Sequence, residues 1–367
     1  MSGFYQLMMK RFHSEANYMN LTVVGSPTIS SGVVSGFSSL NYLRIANNVT
    51  FGNDFEICFK FKITQGSETQ AVFNFSNDSE VVRITAQVGT DNIITFILRA
   101  NDISDQINVQ SPNPIVTNKY YYAKFINQNN VGSVLFSEDG TSWQILATHT
   151  FTQSFATTKY NYIGNRDLTL ARYLRGEIDL NPNSSYIKIN NTKYNFQFTM
   201  PLTVVGSPTI TDGVVSGFSS DDYLTLSTNI NLNADFEFVC KLNRLNGSSS
   251  AIFCCDTAGQ NMFCAINAAN IRFYNITFGS LFCYATFSTN TDYFIRLRRT
   301  DDVIYLDYSL DGKTFIGTVQ QSAVGITMSY IKTFGKAPYQ ASDAFSGSID
   351  FKNSYVIING TKYIFTV

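Results

Sequence analysis

A stretch of nineteen residues occurs twice in this chain of 367 residues. It reads LTVVGSPTISSGVVSGFSS from Leu21 and LTVVGSPTITDGVVSGFSS from Leu202. The correspondence continues in the same order to SYIKINNTKYNF from Ser185 and SYVIINGTKYIF from Ser354. A solenoid unit has about 20–50 residues and needs its neighbours to bury one face. These copies are much longer, so each is predicted to be a whole domain with its own core.

The alignment predicts three segments: residues 1–20, a first domain at 21–198 and a second at 199–367. The join reads TMPL and has no Gly/Ser-rich or Pro-rich spacer, which favours domains that do not swing freely. Residues 1–20 have no counterpart before the second copy. We interpret them as an N-terminal arm that docks the tandem on a larger assembly, with a disordered leader as the alternative.

Apolar and polar residues alternate along several segments, which predicts half-buried β-strands. In residues 55–63 one face receives Phe55, Ile57, Phe59, Phe61 and Ile63. In a later strand, alternation assigns to one side Ile304, Leu306, Tyr308 and Leu310. The pairs Asp139-Gly140 and Asp311-Gly312 lie between extended runs and indicate hairpins. With no ten-residue helical pattern between them, these strands predict an all-β chain of two tandem antiparallel β-sandwiches with a short N-terminal arm.

Several motifs resemble the concanavalin A-like lectin/glucanase jelly rolls, and among them the laminin G-like domains common in bacteriophage structural proteins. They are GFSSLNYL from Gly36 and GFSSDDYL from Gly217, the S-x-D-G-x-x-W/F hairpin, and G-x-I-D followed by I-N-G-T-K-Y. The resemblance covers nearly everything after residue 20. It implies that the early and late motifs pair in one sheet. This architecture hosts lectins, glycanases and inert spacers alike, so the fold alone does not give the function.

Charge and cysteine usage exclude some partners. The formal net charge is −1 and the pI about 6.1, which provides no basic field for nucleic acid or anionic lipid. We expect no secretory signal, because Lys10, Arg11 and Glu15 interrupt the opening segment, and no membrane insertion. Of the six cysteines, one lies in the first copy and five in the second. A shared disulfide framework would have been duplicated, so reduced thiols and synthesis in a cytoplasm are predicted.

The segment GEIDLNPN is the strongest candidate for catalysis. In the laminarinase-like hydrolases of the resembled superfamily, a strand carries Glu-x-Asp-x-x-Glu for retaining hydrolysis. Glu177 and Asp179 match the first two carboxylates, but Asn181 and Asn183 occupy the candidate positions for the third, and Ser348 replaces Glu177 in the second copy. We therefore predict that the chain is not an enzyme.

Sugar binding is the sharper hypothesis, because aromatic rings stack on pyranose C–H surfaces while amides and charged groups bond to hydroxyls. The predicted carbohydrate-binding residues are Trp143, Tyr160, Tyr162, Asn165 and Arg166. Ordinary packing at a hairpin or strand edge is the alternative, since Phe315 replaces Trp143 in the second copy. The copies differ most between residues 100–118 and 278–291, where binding specificity or neutral drift in length are the two interpretations.

No cofactor is predicted. Asp221 and Asp222 stand opposite Leu40 and Asn41 of the first copy, and this pair of carboxylates raises calcium as the alternative.

We therefore predict a non-enzymatic virion protein of a bacteriophage, a capsid decoration, head fibre or tail component. It would display two lectin-like modules in many copies or as a homo-oligomer. Its predicted partners are other virion proteins, through residues 1–20, and host surface glycans. A free carbohydrate-binding lectin or adhesin is the first alternative, and a glycoside hydrolase the second.

Overall fold

The structure is a computed structural model that describes residues 17–66, 68–100, 102–166, 172–231, 235–246, 250–255, 262–275, 279–324, 330–336 and 344–367. These residues form strands, turns and irregular segments, which confirms the predicted all-β class. No helix long and apolar enough to cross a membrane occurs among them. The chain divides into two compact units between Phe198 and Thr199. Residues 1–16 of the predicted docking arm lie outside the described ranges, and residues 17–20 begin the first strand.

The described strands of unit 1 follow one another along the chain. They are β1 (Asn17–Val24), β2 (Thr28–Ser30), β3 (Val33–Ser35), β4 (Tyr42–Ile45), β5 (Val49–Gly52), β6 (Phe55–Ile63), β7 (Gln70–Ser76), β8 (Arg83–Val88), β9 (Ile94–Arg99), β10 (Gln106–Gln110), β11 (Tyr120–Gln128), β12 (Val131–Ser137), β13 (Gln144–Thr150), β14 (Phe155–Thr158), β15 (Tyr160–Ile163), β16 (Gly176–Asp179), β17 (Tyr186–Ile189) and the first part of β18 (Thr192–Val205).

The described strands of unit 2 begin with the remainder of β18. They continue with β19 (Thr209–Thr211), β20 (Val214–Ser216), β21 (Tyr223–Asn231), β22 (Phe236–Arg244), β23 (Ser250–Cys254), β24 (Met262–Ile266), β25 (Asn270–Asn275), β26 (Gly279–Tyr284), β27 (Asp292–Thr300), β28 (Val303–Ser309), β29 (Ile316–Ser322), β30 (Tyr330–Phe334), β31 (Gly347–Ile358) and β32 (Thr361–Thr366).

Each unit has two main antiparallel sheets with the same strand order, and in unit 1 β5 and β14 form a further two-stranded sheet. In unit 1, sheet A runs β1-β4-β15-β7-β8-β9-β10 and sheet B runs β2-β3-β16-β6-β11-β12-β13. In unit 2, sheet A runs β18-β21-β30-β23-β24-β25-β26 and sheet B runs β19-β20-β31-β22-β27-β28-β29. The early strand β3 pairs with the late strand β16, and β20 with β31, as the resemblance implied.

Phenylalanine rings from the two sheets of a unit meet in its interior. In unit 1 the ring of Phe59 on β6 stacks on that of Phe73 on β7 at 4.6 Å, and Phe125 on β11 meets Phe73 at 5.5 Å. In unit 2 Phe238 on β22 meets Phe253 on β23 at 4.9 Å. These contacts join sheet A to sheet B, so each unit is a sandwich, and the apolar members of the alternating strands fill it.

The duplicated signature forms a tight turn held by side chains. Gly25 has φ +70°, a left-handed conformation that glycine adopts without steric cost. The side-chain oxygen of Asn41 accepts a hydrogen bond from the amide of Ser26 at 2.9 Å. In unit 2 a carboxylate oxygen of Asp222 accepts the same bond from the amide of Ser207 at 2.6 Å. The signature is therefore duplicated together with the backbone geometry that it specifies.

The alternation predicted for β28 is confirmed up to Tyr308 and fails only at Leu310, which lies beyond the end of the strand. The pairing of β28 with β29 shifts register between Leu306 and Tyr308, which marks a β-bulge. The register with β27 does not shift: Leu306 and Tyr308 lie opposite the core residues Leu297 and Ile295, and Asp307 lies opposite Arg296. Asp307 is fully buried on that side, while Leu310 follows the strand and is 61% exposed. The carboxylate of Asp307 accepts two hydrogen bonds of 2.8 Å from the guanidinium of Arg296, which compensates its burial.

All six cysteines are free and buried, as the reduced-thiol prediction requires. Burial raises the pKa of the Cys58 thiol to about 12, and that of Cys283 to about 11. Thiols with such pKa values carry almost no thiolate near neutral pH, so they act as small apolar core residues.

Candidate functional site

Four of the five predicted sugar-binding residues lie together on unit 1. Tyr160 and Tyr162 share the outward face of β15, with ring centroids 6.2 Å apart, and Tyr42 of β4 meets Tyr162 edge-on at 5.5 Å. Asn165 and Arg166 follow the strand directly. The fifth residue, Trp143, precedes β13 and belongs to the other sheet.

Most of these side chains are already engaged within the protein. Tyr162 is 6% exposed and Asn165 1% exposed, which leaves little surface for a ligand. An Nη atom of Arg166 lies 3.7 Å from a carboxylate oxygen of Glu80. The pKa of Tyr160 is raised, chiefly by its hydrogen bond to a neighbouring carboxylate. Ligand binding by this group therefore stays a prediction, with Tyr160 as its most accessible ring.

Trp143 packs in a hairpin arrangement that both units contain. The Nζ atom of Lys124 lies 4.1 Å from its ring centroid, and Tyr122 meets the ring edge-on at 6.3 Å. In unit 2 the guanidinium of Arg296 lies 3.9 Å from the centroid of Phe315. A cation over an aromatic face is a stabilising contact, and here it covers one face of the indole.

Glu177 and Asp179 are held as ionised partners of lysines. Lys62 lies 2.9 Å from Glu177, Tyr120 donates to Glu177 at 2.7 Å, and Lys60 lies 2.8 Å from Asp179. Burial alone would raise the pKa of each carboxyl, but the hydrogen bonds outweigh it and both pKa values fall below the ordinary range. A glycosidase general acid needs a raised pKa, so this pair does not provide one.

Asp222 works as a turn residue. One carboxylate oxygen accepts the Ser207 amide and the other accepts the Ser219 hydroxyl at 2.7 Å. These bonds, the first of them foremost, lower the pKa of Asp222. Within the described ranges, no group of three or more acidic, histidine or cysteine side chains could hold a metal ion. Calcium at Asp221 and Asp222 stays a prediction.

Two surface cavities lie in unit 1. One, of about 340 Å³, is lined by Asp54, Phe55, Glu56, Gln128, Asn129, Lys188 and Asn191. The other, of about 260 Å³, is lined by Pro112, Asn113, Phe136, Ser137, Glu138, Asp139, Ser142 and Gln144. Their single aromatic residues, Phe55 and Phe136, are buried. Both cavities are therefore polar sites without an accessible ring for stacking.

A row of side chains on sheet A of unit 2 was not among the residues predicted from the sequence. Strands β24, β25 and β26 alternate strictly, and the core receives Met262, Cys264, Ile266, Ile271, Phe273, Leu281 and Cys283, all buried. The opposite face of these strands presents Phe263, Arg272, Tyr274, Phe282 and Tyr284. We call these five residues the aromatic face.

The rings of the aromatic face form two stacked pairs around one cation. Phe263 and Tyr274 lie 5.2 Å apart with an interplanar angle of 27°, and Phe282 and Tyr284 lie 5.7 Å apart at 19°. Tyr284 is 71% exposed, and the other three rings are half-buried. The guanidinium carbon of Arg272 lies 5.2–5.5 Å from the centroids of three of the rings. Flat apolar surface and a positive charge are thus presented together.

Unit 1 has no such face at the equivalent positions. Strands β7 and β23 align through AVFNF and AIFCC, and from them the pairing registers continue outward across both sheets. The equivalents of Phe263, Arg272, Tyr274 and Phe282 are, in that order, Thr85, Thr95, Ile97 and Gln110. The aromatic face is therefore a difference between two copies that share a scaffold.

A signal for this face was available in the sequence. The divergent segment 278–291 contains Phe282 and Tyr284, and alternation in NIRFYN and GSLFCY places them on one side with Arg272 and Tyr274. The outward positions of the aligned strands, and not only their loops, therefore distinguish the two copies.

No protein-family model and no curated protein sequence matches this chain. Among solved structures, it is similar to domains LG4-5 of the mouse laminin alpha1 chain, at 10% identity and a TM-score of 0.35, covering 92% of each chain. It is also similar to the LG1-3 region of the laminin alpha2 chain, at 13% identity and a TM-score of 0.31, covering 91% of this chain and 63% of that one. A SAP-like pentraxin from Limulus polyphemus matches at 13% identity and a TM-score of 0.31, covering 46% of this chain and 73% of that one.

Proposed function

We propose that this chain is a non-enzymatic, glycan-binding adhesion protein whose sugar site is the aromatic face of unit 2. The observation that carries the proposal is the presence of two stacked pairs of rings on a sheet surface where alternation ordinarily places polar residues. A group of partly exposed rings on a protein surface marks an interaction site. Pyranose rings suit them, because the C–H surface of a sugar packs against an aromatic face while its hydroxyls keep their hydrogen bonds with water.

Such a site binds weakly as a single copy. A shallow face buries far less of a ligand than a deep pocket does, so affinity must come from repetition. Many copies held on one particle raise the effective concentration of sites and convert weak contacts into firm attachment.

Such repetition fits display on a bacteriophage virion, which we propose as the location. The six free, buried cysteines support folding in a reducing cytoplasm, where virions assemble. Residues 1–20 are proposed to dock on other virion proteins. Mass spectrometry of purified particles from a phage encoding this chain is expected to detect it, and deletion of residues 1–16 is expected to remove it from them. Equal incorporation after the deletion would refute the docking role.

The sugar site is tested by a glycan array with the full chain and the Tyr284→Ser variant. Because this side chain is 71% exposed, its removal should not affect folding. We expect about a fivefold loss of binding, since one stacked ring contributes on the order of 1 kcal/mol. Tyr160→Ser in unit 1 is the matched control and should bind as the unmodified chain does. Loss of binding in the control alone would move the site to unit 1, and an array without any signal would refute glycan binding.

A further inference from the structure

Arg272 lies among aromatic rings, and no acidic side chain of the described residues pairs with it. Its Nε donates to the Ser280 hydroxyl at 2.9 Å, and its other described contacts are with three aromatic rings. In the described part of unit 2, the cations that pair with carboxylates are Lys241, Arg296, Arg299 and Lys352. The charge of Arg272 is thus balanced by no acidic side chain among the described residues.

Two arginines on or next to sheet A of unit 1 have an acidic partner. Arg166 and Arg83 lie 3.7 Å and 3.8 Å from carboxylate oxygens of Glu80, and Arg99 donates to Gln106 at 2.9 Å. Arg83 and Arg166 thus have an acidic partner, whereas Arg99, like Arg272, bonds to a neutral side chain. In unit 1 the described arginine that lies over an aromatic ring, Arg175 over Tyr173, pairs with Glu68, so among the described residues an arginine stacked on rings without an acid occurs in unit 2.

We infer that the aromatic face binds an acidic glycan, with Arg272 pairing with the carboxylate of a sugar residue. The inference rests on the proposed function and names its ligand class. A guanidinium can stack on aromatic rings and still present its planar fork to a carboxylate, which a lysine cannot do in the same way. The rings receive the apolar face of the sugar, and Arg272 selects the sugar that carries a negative charge.

The selectivity belongs to unit 2 alone. Thr95 of unit 1 stands where Arg272 stands in unit 2, and the flanking positions there are Thr85, Ile97 and Gln110. The proposed acidic-sugar site is therefore built from residues of unit 2, and the equivalent positions of unit 1 do not repeat it.

The test uses the full chain and a glycan array. Each sialylated or uronate-containing glycan on the array is paired with the same glycan after reduction of its carboxyl group to an alcohol. We expect the unmodified chain to prefer the carboxylate form by about tenfold or more. Arg272→Gln should abolish this preference while residual binding through the rings persists. Arg272→Lys should restore only part of it, and added salt should weaken it in the unmodified chain. Arg298→Gln is the matched control, because Arg298 stacks on Tyr305 of sheet B in the same unit at 4.2 Å.

The outcomes separate the two proposals. Equal binding of carboxylate and reduced glycans, or a preference that survives Arg272→Gln, would overturn the acidic-glycan inference and leave the proposed function standing. Preference for sulfated glycans alone would also overturn it, since the anionic group would be a different one. No binding to any glycan would overturn both. Near-UV circular dichroism verifies that each variant is folded.

Discussion

Replacing Gly164 by alanine is expected to lower the free energy of unfolding of unit 1 by about 3 kcal/mol or more. Gly164 follows β15 with φ +77°, a conformation that costs an L-residue about 1–2 kcal/mol. An added Cβ would also overlap the ring of Phe37, which is buried against this glycine. Unit 2 repeats the arrangement with Gly335 and Phe218. The Phe of the duplicated signature therefore requires a glycine more than a hundred residues later.

Gly52→Ala is the matched control. Gly52 has a similar φ of +66°, but nothing lies within 4 Å of its added Cβ, so only the backbone cost of about 1 kcal/mol applies. Urea unfolding followed by tryptophan fluorescence measures both variants, because the single Trp143 reports on unit 1 only. Equal losses in the two variants would show that the Phe37 contact adds no cost.

Phe59→Ala is the second large effect, with an expected loss of about 3–5 kcal/mol. The ring is fully buried and stacks on Phe73 at 4.6 Å and on Phe196 at 5.4 Å. Its cross-strand neighbour on β11 is Ala123, a residue too small to fill the space that would be left. Both the lost transfer free energy and an unfilled cavity contribute to the cost.

Unit 2 offers the matched comparison at the same position. Cys240 replaces Phe59, and its cross-strand neighbour is Ile295 where unit 1 has Ala123. Cys240→Ala removes one sulfur atom and is expected to cost only about 1 kcal/mol. Calorimetry of the full chain measures both variants, with Trp143 fluorescence assigning the transition of unit 1. A cost for Cys240→Ala as large as that for Phe59→Ala would contradict this account of the two cores.

Alternation and turn residues were sufficient to predict the fold class. Strand β6 follows its predicted faces throughout, and Gly140 and Gly312 adopt the positive φ expected in their hairpins. The prediction failed at Leu310, which follows the last residue of β28 and is exposed. A bulge interrupts the pairing of β28 with β29 in the same region, and the alternation of side chains carries no mark of it.

The site was harder to predict, because sequence patterns do not tell which outward face is covered. Tyr162 and Tyr284 are both tyrosines on outward strand positions. Tyr162 contacts the rings of Tyr42 and Tyr160 and is 6% exposed, whereas Tyr284 stacks on Phe282 and is 71% exposed. That distinction depends on tertiary contacts, which alternation does not encode. The sequence patterns therefore predicted Tyr162 as a binding residue and did not single out Tyr284.

Unit 1 has Phe59 opposite Ala123, and unit 2 has Cys240 opposite Ile295. This difference has a consequence for recombination between the two halves of the gene. Recombination between the duplicated segments, with a crossover between β6 and β11, would encode Phe59 opposite Ile295 in one hybrid and Cys240 opposite Ala123 in the other. The first interior would be overfilled and the second would contain a void. We therefore expect both hybrids to be less stable than the present chain, because the two cores are packed differently at this position.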